Sequence, residues 1–308
     1  MLLALAAVLP TLFWDASQDT APALQEAGIT QIRVPAARLD AWRSVAGISA
    51  AADLEGAVKL PAPAVNYRMD EASATRAPWL ISSGWQFLRK PQARFYYDAP
   101  GKAAALAAAE AFCYGAAPSI RTDAAGLKPL AQMLEFLRGV EGVEASPLAD
   151  IGFIDDGSPL DGEVMNLMVR DNLLFRIVSS PDPRLKLNVR LGSREYPLAD
   201  AKNPGMMAKT IRANLTDEKR SLRIYGSLVV VARVAQSPSG VRIQLLNYDG
   251  AGRQVNGLRV RLLGLYSKHH LSAAGSPGEE LLDYTAGAGA TEFTLPELKT
   301  YAVIDLSR

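Results

Sequence analysis

The chain has 308 residues with 33 basic and 32 acidic side chains, a formal charge of +1, so it presents no field that would gather nucleic acid or an anionic membrane surface. With 49% hydrophobic and 21% charged residues it can build one large domain plus a smaller one, or two or three of medium size. A single cysteine, Cys113, excludes an intrachain disulfide and a thiolate metal cluster, and its alanine-rich setting reads as a buried apolar position.

The N-terminal run "MLLALAAVLP" is too short to span a bilayer but matches the apolar region of an export signal, so residues 1–10 are read as a signal remnant. That places the protein in the periplasm or outside the cell, with the cytoplasm as the alternative. No later run approaches membrane-spanning length, so no membrane insertion of the mature chain is expected.

From residue 11 the chain alternates short β-rich runs with helical patterns, the mark of a parallel sheet covered by helices. "TLFWD" (11–15), "ITQIRVP" (29–35), "GAVKLP" (56–61), "FYYD" (95–98) and "SIRT" (119–122) are the first five strands. "ADIGFIDD" (149–156), "LLFRIV" (173–178) and "LKLNVRLG" (185–192) complete eight, at the small end of the range for a (β/α)₈ barrel. The intervals after the third and seventh are too irregular for full helices, so the fold class expected is a distorted (β/α)₈ (TIM-like) barrel over 11–218. The alternative is an open α/β sheet over 1–145 followed by a flavodoxin-like sheet over 146–215. After residue 220 the period changes to alternating β-formers separated by Gly, Ser, Pro, Asn and Asp turns, which predicts an antiparallel β-sandwich over 219–308.

Chemistry is constrained mainly by what the chain lacks. Its only histidines, His269 and His270, are neighbours in the late β-rich region, so the α/β part has no imidazole base and no histidine metal site. No glycine-rich phosphate loop follows a strand. The expectation is therefore no metal and no organic cofactor.

Carboxylates remain. Functional side chains of parallel sheets gather at the C-terminal ends of the strands, and acids stand at three of these ends: Asp15, Asp98, and the pair Asp155 and Asp156. Asp98 with Asp155 or Asp156 is the candidate catalytic pair, because glycosidic hydrolysis needs one protonated and one ionised carboxyl across the sugar. The competing reading makes such residues caps and turn formers, and places Asp161 and Glu163 in the first turn of a helix that starts at Ser158 and Pro159. Saccharides also need flat apolar faces beside polar groups. Trp14, Asp15 and Tyr96 flank the strand ends, and the irregular stretch 65–85 contributes Tyr67 and Asp70 as further candidate binding residues.

The segments "VRIQLLNYDG", "VNGLRVRLLG" and "FTLPELKTYAVIDL", together with "IGFIDDGSPLDGEVMNLMVRDNLLFRIV", are similar to parts of bacterial glycoside hydrolases that join a (β/α)₈-type barrel to a C-terminal all-β domain. The resemblance covers about half of the chain at pattern level. It implies a saccharide substrate or ligand and a glycosidase that uses paired carboxylates. No Asn-Glu pair ends the fourth strand, so a non-catalytic carbohydrate-binding or structural protein of the same architecture is the alternative. A homo-oligomer is compatible with either.

Overall fold

The computed structural model describes residues 9–43, 48–67, 78–140 and 145–308. Most of the apolar N-terminal run, the candidate Asp70 and much of the irregular stretch around it therefore lie outside the described residues.

The first half contains β1 (Thr11–Phe13), α1 (Ala21–Glu26), β2 (Ile32–Pro35), α2 (Leu39–Trp42), β3 (Ile48–Ala52), β4 (Val58–Leu60), β5 (Ala64–Tyr67), β6 (Pro78–Ile81), α3 (Gly84–Arg89), β7 (Phe95–Asp98), α4 (Ala103–Cys113), β8 (Ser119–Arg121) and α5 (Ala124–Gly139). A middle segment follows with β9 (Ser146–Pro147), β10 (Ile151–Phe153), α6 (Pro159–Arg170), β11 (Phe175–Ile177), β12 (Leu187–Val189), α7 (Leu198–Ala201) and α8 (Pro204–Leu215). The rest is strand: β13 (Leu222–Tyr225), β14 (Val230–Ser237), β15 (Gly240–Asn247), β16 (Val255–Leu263), β17 (Lys268–Ala273), β18 (Leu282–Gly287), β19 (Ala290–Leu298) and β20 (Tyr301–Ser307).

Six parallel strands form one sheet in the order β3-β2-β1-β8-β7-β4, and β5 and β6 make a separate hairpin. This is the cyclic strand order of a barrel cut between β3 and β4, with no pairing recorded between those two among the described residues. Strands β11-β10-β12 form a second parallel sheet of their own. The eight strands expected of one barrel are thus divided, five in the first sheet, where β3 is an addition, and three in the second. The division falls where the alternative two-sheet reading has it.

The physical reason lies at the start of β10. Asp150, 2% exposed, accepts from the Ser221 amide at 2.8 Å and the Ser221 hydroxyl at 2.6 Å, and Lys186 Nζ lies 2.8 Å from it. β9 pairs with β14. Both contacts commit this part of the chain to the antiparallel half, not to the edge of the first sheet.

The antiparallel half has two sheets, β13-β16-β19-β18 and β17-β20-β15-β14-β9. Their inward residues, among them Val234, Ile243, Ile304, Val260, Phe293 and Leu295, share one apolar cluster. Alternation of inward apolar and outward charged residues sets this arrangement, with pairs such as Arg259 and Arg261 on Glu292 on the outer side.

Helix α4 joins the halves. Its sequence is apolar on every side, and every residue from Ala104 to Cys113 is buried, as expected for a helix packed all round. Alanine both favours the helix and lets its neighbours approach closely. Its one charge, Glu110, is fully buried and accepts four hydrogen bonds: from the amides of Ser83 (2.8 Å) and Gly84 (3.1 Å), Tyr97 Oη on β7 (2.6 Å), and Tyr248 Oη just beyond β15 (2.5 Å). Burial pushes the Glu110 carboxyl up, and the four donors pull against it. A Cβ on Gly84 would lie 2.1 Å from the Tyr114 ring, so no other residue lets α3 present its first amides to Glu110.

Glu110→Ala is expected to destabilise the fold by about 3 kcal/mol or more, because it strands buried donors from three elements. Gly84→Ala is expected to cost at least about 2 kcal/mol through the clash. Urea unfolding of the two variants checks both, and loss of less than about 1 kcal/mol in each would remove Glu110 from its joining role.

Candidate functional site

Register defines the two faces of the six-stranded sheet. Leu12 pairs with Ile32 and Ile120, Ile120 with Tyr97, and Tyr97 with Leu60, so these side chains share a face. All are in the core cluster with Leu24, Trp42, the alanines of α4, and Leu127 and Leu130 of α5. The opposite face carries two rows. One contains Thr11, Ser119, Tyr96 and Lys59; the other contains Arg33, Phe13, Arg121 and Asp98. Phe13 and Ser119 are buried, and the other residues of the two rows are half-buried or exposed.

At the C-terminal end of this polar face Arg121 grips Asp98 with both arms, Nη2 to Oδ2 at 2.7 Å and Nε to Oδ1 at 3.2 Å. Lys59 Nζ approaches the same carboxylate at 2.8 Å, and Arg121 Nη1 lies 3.7 Å from Asp15. The hydrogen bonds from Arg121 and Lys59 hold the Asp98 carboxyl down at about 2. Asp98 therefore stays ionised at any physiological pH, so it cannot donate a proton to a leaving oxygen, and in a carboxylate pair its charge fits only the ionised role. It does not cap the following helix. The Gly101 amide before α4 is instead held by Asp123 Oδ1 at 2.9 Å, which also caps α5 through Gly126.

Asp155 and Asp156 follow β10, in the other parallel sheet, so they do not stand at ends of the same sheet as Asp98. Arg89 binds Asp155 with two bonds of 2.8 Å and also reaches the Ser158 carbonyl at 2.7 Å. Burial pushes the Asp155 carboxyl up, but the Arg89 hydrogen bonds, the Gly157 amide and the Arg89 charge together bring it below its ordinary value. Asp156 Oδ1 accepts from the Ser158 amide at 2.7 Å, which also lowers it. Asp161, 2% exposed, accepts from the Asp156 amide at 2.8 Å while Ser158 Oγ caps the Asp161 amide, and burial pushes its carboxyl up to about 6. A Cβ on Gly162 would meet Arg89 and Trp85, so α3 and α6 touch here. These contacts make the Asp155 to Asp161 loop a helix start locked onto α3, as the capping reading has it. One oxygen from each of Asp155, Asp156 and Asp161 falls within 4.8 Å of the others.

The aromatic candidates separate in the same way. Trp14 is 5% exposed, lies in the helix-covered core, and donates its indole N–H to Thr20 at 2.8 Å, so it offers no face to a sugar. Tyr96 stands on the polar face beside Lys59 and Ser119. Asp15 is exposed next to Arg121, and Arg38 donates to its carbonyl. Tyr67 is turned to the antiparallel half: its hydroxyl donates to Asp249 at 2.5 Å, and the Arg253 guanidinium lies 5.5 Å from its ring centre. Arg33, Lys59 and Arg121 are the site residues that sequence reasoning missed. Their signal was a basic residue inside each apolar strand run, at the alternate positions "IRV", "VKL" and "SIR".

No protein-family model and no curated protein matches this chain. Among solved structures, the α-L-fucosidase isoenzyme 2 from Paenibacillus thiaminolyticus matches with a TM-score of 0.55 at 10% identity, over 72% of this chain and 62% of its own. The chain thus spans about three fifths of that protein's length. An α-amylase from H. orenii (TM-score 0.21, 12% identity, 94% and 63% of the two chains) and a glycoside hydrolase family 30 subfamily 8 xylanase from Clostridium acetobutylicum (TM-score 0.22, 11% identity, 98% and 96%) align too loosely to carry an argument. The likeness to the fucosidase is one of fold.

Asp98 and Asp161 have opposite pH signatures. The contribution of Asp98 is present above its unfolded value near 3.8 and is lost as pH falls toward 2, so Asp98→Asn removes a stability loss in that window. For Asp161 the folded protein keeps a proton that the unfolded chain releases, so stability drops as pH rises from about 4 through 6. Asp161→Asn is expected to gain on the wild type across that rise. Urea titrations at pH 2.5, 4, 5.5 and 7 check both directions, and a parallel pH dependence of variant and wild type would contradict the assignment.

Proposed function

We propose that this chain is a saccharide-binding protein with a glycoside-hydrolase-like fold, and that its ligand lies on the polar face of the six-stranded sheet. The observation that carries this reading is the double clamp of Arg121 and Lys59 on Asp98. A carboxylate held ionised between two cations is a poor acid, and with its neighbours it offers fixed acceptors and donors for sugar hydroxyls. Tyr96 supplies the aromatic surface and Asp15 a further acceptor. The paired-carboxylate hydrolase reading asks Asp98 to work with Asp155 or Asp156, yet each of those belongs to another sheet and is held by Arg89 or by the α6 start. The fold likeness to a fucosidase supports the architecture and a carbohydrate ligand. It is neutral on turnover.

The test is an oligosaccharide array followed by calorimetry on the best ligand, alongside a panel of chromogenic glycosides. Binding without turnover is expected, with Asp98→Asn and Arg121→Gln each weakening affinity by about tenfold or more. Turnover of any glycoside by the wild type that disappears in Asp98→Asn would restore the hydrolase reading.

A further inference from the structure

Arg33 lies on the same polar face but is not used by the Asp98 clamp. It shares a register row with Phe13, Arg121 and Asp98, and it stands two strands from Arg121, roughly 10 Å by strand spacing. Its side chain is half-buried, and its guanidinium has no hydrogen-bond or ion-pair partner among the described residues. None of its nitrogens is buried without a partner, so its donors face solvent and are open to an incoming acceptor.

Arg33 also lines a cleft of about 370 Å³ with Asp53, Arg94, Phe95, Tyr114 and Ser119. That volume is within the range of small-molecule sites. The Asp53 carboxylate already accepts from the Glu55 amide at 2.8 Å, and Arg94 reaches only the Asp53 carbonyl. The Tyr114 hydroxyl is buried without a partner. The charged lining is thus two guanidiniums against one occupied carboxylate, in a cleft with aromatic walls.

We infer that the saccharide recognised by this face is acidic, and that Arg33 receives its carboxylate. The inference rests on the saccharide-binding reading and adds the ligand class. A planar fork with two parallel N–H donors matches a carboxylate better than a hydroxyl. The cleft lies at the N-terminal ends of β7 and β8, and its lining includes none of Asp98, Lys59 and Arg121, so Arg33 acts there apart from the clamp.

The experiment measures affinities of the full chain for methyl glucuronoside and methyl galacturonoside against methyl glucoside and methyl galactoside, by calorimetry or ligand-observed NMR. The acidic sugars are expected to bind about 10- to 100-fold tighter. Arg33→Gln should erase that difference, while Arg33→Lys keeps part of it. Because Arg33 holds no ion pair, the unfolding midpoint of Arg33→Gln should match the wild type, which separates lost recognition from lost folding. Acidic sugars binding no tighter than neutral ones, or an unchanged preference in Arg33→Gln, overturns the inference. If neutral sugars bind through Asp98 without acidic preference, the saccharide reading stands and the acidic one falls. Acidic binding that depends on Arg33 but not on Asp98 upholds Arg33 and moves the site off the clamp. Binding of none of the four overturns both.

Discussion

Strand order is the constraint from which the candidate site follows. In the order β3-β2-β1-β8-β7-β4 the chain steps in one direction through β1, β2 and β3, crosses to β4, and steps in that same direction through β7 and β8. Parallel crossovers are right-handed in nearly all proteins, so equal stepping direction places the β1–β2, β2–β3, β4–β7 and β7–β8 crossovers on the same side of the sheet. One face is therefore sealed by helices and must be apolar, as Leu12, Ile32, Tyr97 and Ile120 are. The opposite face carries Arg33, Lys59, Tyr96, Asp98 and Arg121 at its alternate positions, with Phe13 and Ser119 buried among them. A doubly wound sheet reverses its stepping and buries both faces; this one does not.

The helical layer that seals the first face is itself pinned by Glu110. A fully buried carboxylate is expensive in isolation, and burial does push its proton affinity up. Four donors offset that cost, and they come from the sheet, the start of α3 and the antiparallel half, so the charge is satisfied only when all three are docked. Arg233 of β14, 6% exposed, lies with its guanidinium 4.8 Å from the Tyr114 ring centre at the same junction. The consequence for function is rigidity: β7 carries both Tyr97, held by Glu110, and Asp98, held by Arg121 and Lys59. The two anchors lie on opposite faces of one short strand.

Local signals were legible in the sequence where they depend on local physics. The alternation after residue 220 marks the strands of the antiparallel half, and the alanine-rich, buried setting read for Cys113 is that of α4. Strand ends bearing Asp15, Asp98 and Asp155 were visible for the same reason. Sheet membership was not, because β10, β11 and β12 read as further strands of one series; what separates them is Asp150 binding Ser221, a contact across 71 positions. The partners of the acids were hidden likewise. Arg121 follows Asp98 by 23 positions and Arg89 precedes Asp155 by 66; strand register brings the first pair together and the contact of α3 with α6 the second. Trp14 looked available because it neighbours Asp15, yet alternation sends it to the sealed face.

The most direct test is a crystal structure of the chain with its best-binding oligosaccharide. The account predicts the sugar across the second face of the six-stranded sheet, with hydroxyls on Asp98 and Arg121 and the ring near Tyr96. A sugar bound at the Asp155 to Asp161 loop, or on the outer strands of the antiparallel half, would contradict it.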